Sequence, residues 1–217
     1  MSRELFDKKL LDVKHNVLRM GTLVERIIDM SVTALKEKKL ELAEMVNTED
    51  NKIDRMDIEI ENECMNLIAL QHPIAKDLRT IATAMKVITD LERMGDNAVN
   101  IAKITLDIGQ EPLFKPLVDI PQMSVVVQRM VKLSLDAFLT EDIELAEKVA
   151  KMDEEVDAYY KNIFDEILSL ISKDSSITVQ GTKLLFVGRY LERIADHATN
   201  ICERVIYMVT GELKEIN

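Results

Sequence analysis

Residues Asp90 to Lys103 read DLERMGDNAVNIAK, and one hundred positions later Tyr190 to Glu203 read YLERIADHATNICE. Seven of the fourteen aligned positions are identical. In each copy a glutamate and an aspartate stand four apart, Glu92 with Asp96 and Glu192 with Asp196, inside a run whose apolar residues recur at helical spacing. Residues four apart lie one above the other on a helix, so each acidic pair projects from one side. Like charges placed there repel, and local helix stability gives no reason for either pair.

The similarity extends upstream at a slightly different offset. Leu40 to Asp54 (LELAEMVNTEDNKID) matches Ile143 to Asp157 (IELAEKVAKMDEEVD) at a spacing of 103, again with seven identities. Each segment ends in another acidic pair, Asp50 with Asp54 and Asp153 with Asp157. A period near one hundred residues is a duplicated domain, too long for a solenoid repeat.

Working outward, Leu5 to Leu35 carries apolar residues at spacings of three and four (Leu10, Val13, Val17, Val24, Ile27, Ala34), with Gly21 its one weak point, and predicts a long amphipathic helix. Lys36 to Lys39 makes a turn. A second helix follows the stride Val46, Ile53, Ile60, Leu67 and stops at Gln71-His72-Pro73, because proline cannot continue a helix interior. The third runs from about Ile74 to Gly109, which caps it. The segment Gln110 to Pro121 holds three of the four prolines, so the domain boundary is placed there: 1–110, a linker over 111–121, and 122–217. The second half predicts helices over 123–139, 142–171 and 176–210, with polar cap candidates at Lys173 to Ser176 and a closing Gly211. With only 6 Gly, no Trp and 47% hydrophobic residues, the expectation is an all-α chain of two tandem antiparallel three-helix bundles.

Net charge is −11, which disfavours nucleic acid and anionic membrane surfaces as partners, both being polyanions. The N-terminus is charged where a signal peptide is apolar, and no apolar run is long enough to span a bilayer, so a cytoplasmic protein without membrane insertion is expected. Cys64 and Cys202 lie on apolar faces without metal or redox spacing and read as buried, reduced thiols.

At ~100° per residue, Glu92 falls at the margin of the core stripe and Asp96 at the solvent boundary. Asp50 and Asp54 border the seam of the second helix. If the second and third helices are neighbours, Asp50, Asp54, Glu92 and Asp96 form one carboxylate cluster, and Asp153, Asp157, Glu192 and Asp196 form another. Hard cations take such oxygen donors, and facing helices of a bundle are a usual place to present them. The competing reading is a solvated face with local ion pairs, Arg93 with Asp96 and Arg193 with Asp196, each worth about 0.3 to 0.5 kcal/mol. Asn100 and Asn200 read as solvent-facing or as polar residues just outside the carboxylate cluster, and Asp57 with Glu61 as a solvated strip, since their counterparts are Tyr160 and Phe164. None of the three histidines (His15, His72, His197) follows a glutamate by three, so the Glu-x-x-His pair of di-iron oxidases is missing. Nucleotide-binding, nucleophile-elbow and zinc-protease signatures are missing too, and no enzyme is expected.

The paired segments DNKID with LERMGDNAVNIA, and DEEVD with LERIADHATNI followed by YMVTGE, together resemble the PhoU family over essentially the whole chain. That resemblance implies a cytoplasmic homodimer of two three-helix bundles that represses the phosphate-starvation response. It implies an adaptor between the ATPase subunit of the phosphate ABC transporter and the phosphate-sensing histidine kinase. It further implies divalent or ferric ions, such as iron or zinc, on Asp50, Asp54, Glu92 and Asp96 and on Asp153, Asp157, Glu192 and Asp196. A metal-dependent enzyme or a metal store using the same carboxylates is the alternative.

Overall fold

In a computed structural model, which describes residues 3–71 and 73–212, the chain is all-α. The helices are α1 (Arg3–Glu37), α2 (Leu40–Gln71), α3 (Ala75–Ile108), α4 (Asp119–Thr140), α5 (Ile143–Ala150), α6 (Asp153–Lys173) and α7 (Thr178–Thr210), with a 3-10 turn over Ser175–Ile177 before the last. Among the described residues there is no strand, and no helix is long and apolar enough to cross a membrane. His72 lies outside the described residues.

The duplication shows in the turns as well as the helices. At the end of α1, Lys38 adopts a left-handed conformation (φ 57°) and the Lys39 N–H donates to Ala34 O. At the end of α4, 103 residues on, Glu141 (φ 58°) and the Asp142 N–H with Ala137 O repeat the arrangement. A bond reaching back five residues satisfies a helix-end carbonyl and turns the chain sharply, which lets α2 return antiparallel to α1. Ser31 and Ser134 likewise bond back to Ile28 O and Val131 O at matched positions. Gly109 and Gly211 close α3 and α7 with positive φ.

Helices α1, α2 and α3 pack on one another, and α4 to α7 form the matching set. The two sets share one core through two antiparallel seams, α1 on α4 and α3 on α7. Gly21 explains itself at the first seam, since a methyl there would overlap Cδ1 of Leu135 on α4. At the second, His197 Nδ1 lies 2.9 Å from Asp90 Oδ1, Arg79 donates to Met208 O, and Lys183 donates to Asp107 O. A basic side chain of each helix thus satisfies a carbonyl at the C-terminal end of the other, where a cation also meets the helix dipole favourably. This register sets the two acidic stretches of α3 and α7 level with one another along the seam. Helix α2 on one side, and α5 with α6 on the other, stay on the outside.

Two expected boundaries differ. The helix expected over 142–171 is two helices: the regular ladder lapses at Lys151 and Met152, and Asp153, Glu154 and Glu155 form the acidic first turn of α6. Carboxylates favour the positive end of a helix, so a fresh start suits this sequence better than the matching Asp50, Asn51 and Lys52. Helix α4 begins at Asp119, not near Met123, because Pro121 sits in the first turn, where its missing N–H has no intrahelical partner anyway.

Candidate functional site

The α2/α3 groove collects the first four acids. Asp50 is only 9% exposed, on the face of α2 turned toward α3, and Gly95 lies directly against it: a methyl on Gly95 would overlap Asp50 Oδ1 and stand 3.6 Å from Ile53 Cδ1. That oxygen is buried without a hydrogen-bond partner. Burial pushes the Asp50 carboxyl up to about 7, and the charges of Asp54, Asp96 and Glu92 push in the same direction. The acids of the two helices therefore sense one another across the groove, as the seam geometry requires. Glu92 is half-buried and Asp96 exposed, matching the core margin and solvent boundary expected. Burial and Asp96 raise the Glu92 carboxyl, which Arg93 partly offsets from 3.2 Å. Arg93 also pairs with Asp96 at 3.2 Å, as the i, i+3 spacing predicts.

Asp57 belongs to this groove too. It is half-buried, its carboxyl is raised by burial, Glu61 and Asp54, and its charge is felt at Glu92. Reading it as a freely solvated strip rested on its aromatic counterpart and missed the seven-residue step from Asp50, which keeps it on the same edge of α2.

The α6/α7 groove collects the second four. Asp153 is 9% exposed at the start of α6. Burial raises the Glu192 carboxyl, Asp196, Asp157 and Asp153 raise it further, and Arg189 opposes them. The ion pair Arg189–Glu192 stands where the first half has Thr89, whose hydroxyl bonds back to Met85 O at 3.0 Å. Sequence spacing pointed to Arg193 with Asp196 instead; burial raises the Asp196 carboxyl, and Asp157 adds to this, while Arg189, His197 and Arg193 only partly offset it. His197 bridges to Asp90, and Asn200 approaches the same oxygen at 3.5 Å, so these polar positions tie the halves together. Cys64 and Cys202 are free and buried, and burial pushes both thiols up to about 12.

Among the described residues, no three His, Cys, Asp or Glu side chains close round a point where a metal ion would sit. The four acids of each set are coupled electrostatically along one groove without converging on a single point. The donor set still suits a hard cation: all-carboxylate, carried on two rigid helices, with a buried oxygen that no protein group satisfies in each, Asp50 Oδ1 in the first and Glu192 Oε2 in the second.

The sequence profile of the PhoU domain matches this chain twice, at residues 17–105 and 120–205. A phosphate-specific transport system accessory protein PhoU homolog of Clostridium acetobutylicum is 42% identical over 218 residues, covering 100% of both chains. The crystal structure of PhoU from Pseudomonas aeruginosa superposes with a TM-score of 0.90 at 36% identity, covering 95% of this chain and 100% of that one. The crystal structure of the phosphate transport system regulatory protein PhoU from Streptococcus pneumoniae also gives 0.90, at 35% identity over 96% of this chain and 99% of its own. With the duplicated helices, the paired acids and these full-length matches in agreement, the chain belongs to the PhoU family.

Proposed function

We propose that this chain is a non-catalytic regulator of phosphate uptake, a cytoplasmic adaptor that meets the ATPase subunit of a phosphate ABC transporter and a phosphate-sensing histidine kinase and represses the phosphate-starvation response. The observation that carries the reading is full-length similarity, at 42% identity, to a protein named as an accessory of the phosphate-specific transport system. The long helical faces and the lack of any nucleophile or redox motif support a binding role. As a homodimer, the adaptor would present each acidic groove twice.

Each groove is proposed to hold a hard divalent or ferric ion, Asp50, Asp54, Glu92 and Asp96 in the first and Asp153, Asp157, Glu192 and Asp196 in the second. With such an ion bound, the repulsion among the carboxylates is neutralised and the outer helix is tied to its neighbour. The residues themselves set the rest. Asp50 and Asp153 anchor each quartet from the buried side, Glu92 and Glu192 project from the facing helix, and Asp54, Asp96, Asp157 and Asp196 line the open edge.

Deletion in the source organism tests the regulatory reading. Phosphate-starvation genes should become expressed in high phosphate, and full repression in the deletion strain would refute an adaptor acting as a brake. Steady turnover of a phosphoester by the purified protein, abolished by Glu92→Gln with Glu192→Gln, would favour an enzyme in its place.

A further inference from the structure

The two acidic grooves descend from one duplicated unit, yet they differ at the positions that decide how a cation is held. In the first, α2 runs unbroken through Asp50, and the carboxylate fills the notch left by Gly95 on α3. The notch sets the buried, unpartnered Asp50 Oδ1 of α2 against the facing helix, whereas in the second groove an unpartnered buried oxygen, Glu192 Oε2, is carried by the facing helix α7. In the second, the residue at the matching position is Ala195, which is fully buried and already carries the methyl that would overlap Asp50 in the first half. There the outer helix breaks at Lys151 and Met152, so Asp153 becomes the first residue of α6, where the positive end of the helix eases its charge.

The charge balance differs in the same sense. Along the first groove Asp57 and Glu61 extend the acids, whereas the second has Tyr160 and Phe164 at those positions, with the two rings 6.4 Å apart. Each groove has an arginine after its glutamate, Arg93 and Arg193, and the first also has Lys103 where the second has Glu203; the second adds Arg189, paired with Glu192, where the first has Thr89. Asp50 and Asp153 are equally buried at 9% exposure, so the grooves differ in the notch and in charge: the first carries more uncompensated negative charge, and the second is partly neutralised from within.

We propose that the two cation sites are not equivalent: the Gly95 notch makes the α2/α3 groove the tight site for a hard divalent cation, and the α6/α7 groove fills only at higher concentration. Gly95 acts as a positioning residue, setting how far Asp50 reaches toward α3. The inference rests on the reading that the grooves hold cations at all.

Calorimetric titration of the metal-free, full-length protein with Mn²⁺ tests it. Two classes of site should appear, separated by about tenfold or more in Kd. Gly95→Ala should weaken the tight class by about tenfold, the size of effect expected when the group that orients a ligand is disturbed, and leave the weak class unchanged. Asp54→Asn, on the exposed side of α2, should weaken the same class. Asp157→Asn with Glu192→Gln should remove only the weak class, and Ala195→Gly should leave the tight class as it is. The metal-free Gly95→Ala protein should melt no lower than wild type, because only the end of the Asp50 side chain must swing aside, and alanine favours a helix interior over glycine. This separates lost ligation from lost folding. A single class of sites, a tight class unmoved by Gly95→Ala, or a tight class lost with Asp157 and Glu192 overturns the inference alone. No Mn²⁺ binding overturns the cation reading with it.

Discussion

At Asp50 two physical demands conflict: the helix seam buries the side chain, and its neighbours Asp54, Glu92 and Asp96 repel its charge. The unfolded chain ionises this group near 3.8, and the folded protein only near 7. Between those values the native state keeps a proton that the unfolded state has released, so this group makes the fold less stable as pH rises through that window. Metal-free wild-type protein should therefore gain stability toward Asp50→Asn as pH is lowered from 8 to about 5. Paired urea titrations at several pH values would show it, and a constant difference between the two proteins would contradict it. The acids were legible in the sequence because the pairs recur in both halves at helical spacing, and Glu92 and Asp96 lie at the depths that spacing gives. What Gly95 does was not legible, because a notch depends on how closely two helices approach. Arg189 was missed for a related reason: two arginines stand three residues from an acid on α7, and only packing decides which pair forms.

Among the elements, α1 and α4 show how a local weakness serves a long-range contact. Glycine is a poor helix former, and at position 21 it admits Leu135 of the opposite helix. Gly21→Ala should gain about 1 kcal/mol in helix propensity and lose about 1 to 3 kcal/mol to overpacking against a buried leucine. A net loss near 1 kcal/mol corresponds to a fall of about 2 to 4 °C in Tm for a chain of this size, measurable by calorimetry. A rise in Tm would show that the seam has room to spare. The existence of every long helix followed from periodicity, and the turns from glycine, proline and charge. The break before Asp153 did not, because the apolar stride runs through it and the interruption comes from the preference of three consecutive acids for a helix start.

At the scale of the whole molecule, the halves are held by polar ties as well as by the shared core. Glu141, at the left-handed turn after α4, accepts from Lys14 on α1 at 2.9 Å and pairs with Lys76 on α3 at 3.1 Å. Lys14 is itself buried and sits 5.7 Å from the Phe138 ring centroid. Its hydrogen bond, then that of Lys76, holds the Glu141 carboxyl below its ordinary 4.5 against the opposing effect of burial. That stabilisation is present above pH 4.5 and disappears as pH falls through the lowered value. Glu141→Gln should cost about 1.5 to 3 kcal/mol at pH 7, the usual worth of a hydrogen bond to a charged group, and much less near pH 3. Urea unfolding of both proteins at the two pH values checks this, and an equal loss at both would contradict it. The duplication made two three-helix units readable, but the partnership of α3 with α7 and of α1 with α4 was not, since the apolar faces that join the halves look like core-facing stripes in either case. That partnership is what sets the two acidic stretches level.

Crystals grown with Mn²⁺ and measured for its anomalous scattering address the central claim directly. Peaks are expected in the grooves beside Asp50 and Glu92 and beside Asp153 and Glu192. Diffraction data with no anomalous peak in either groove would contradict it.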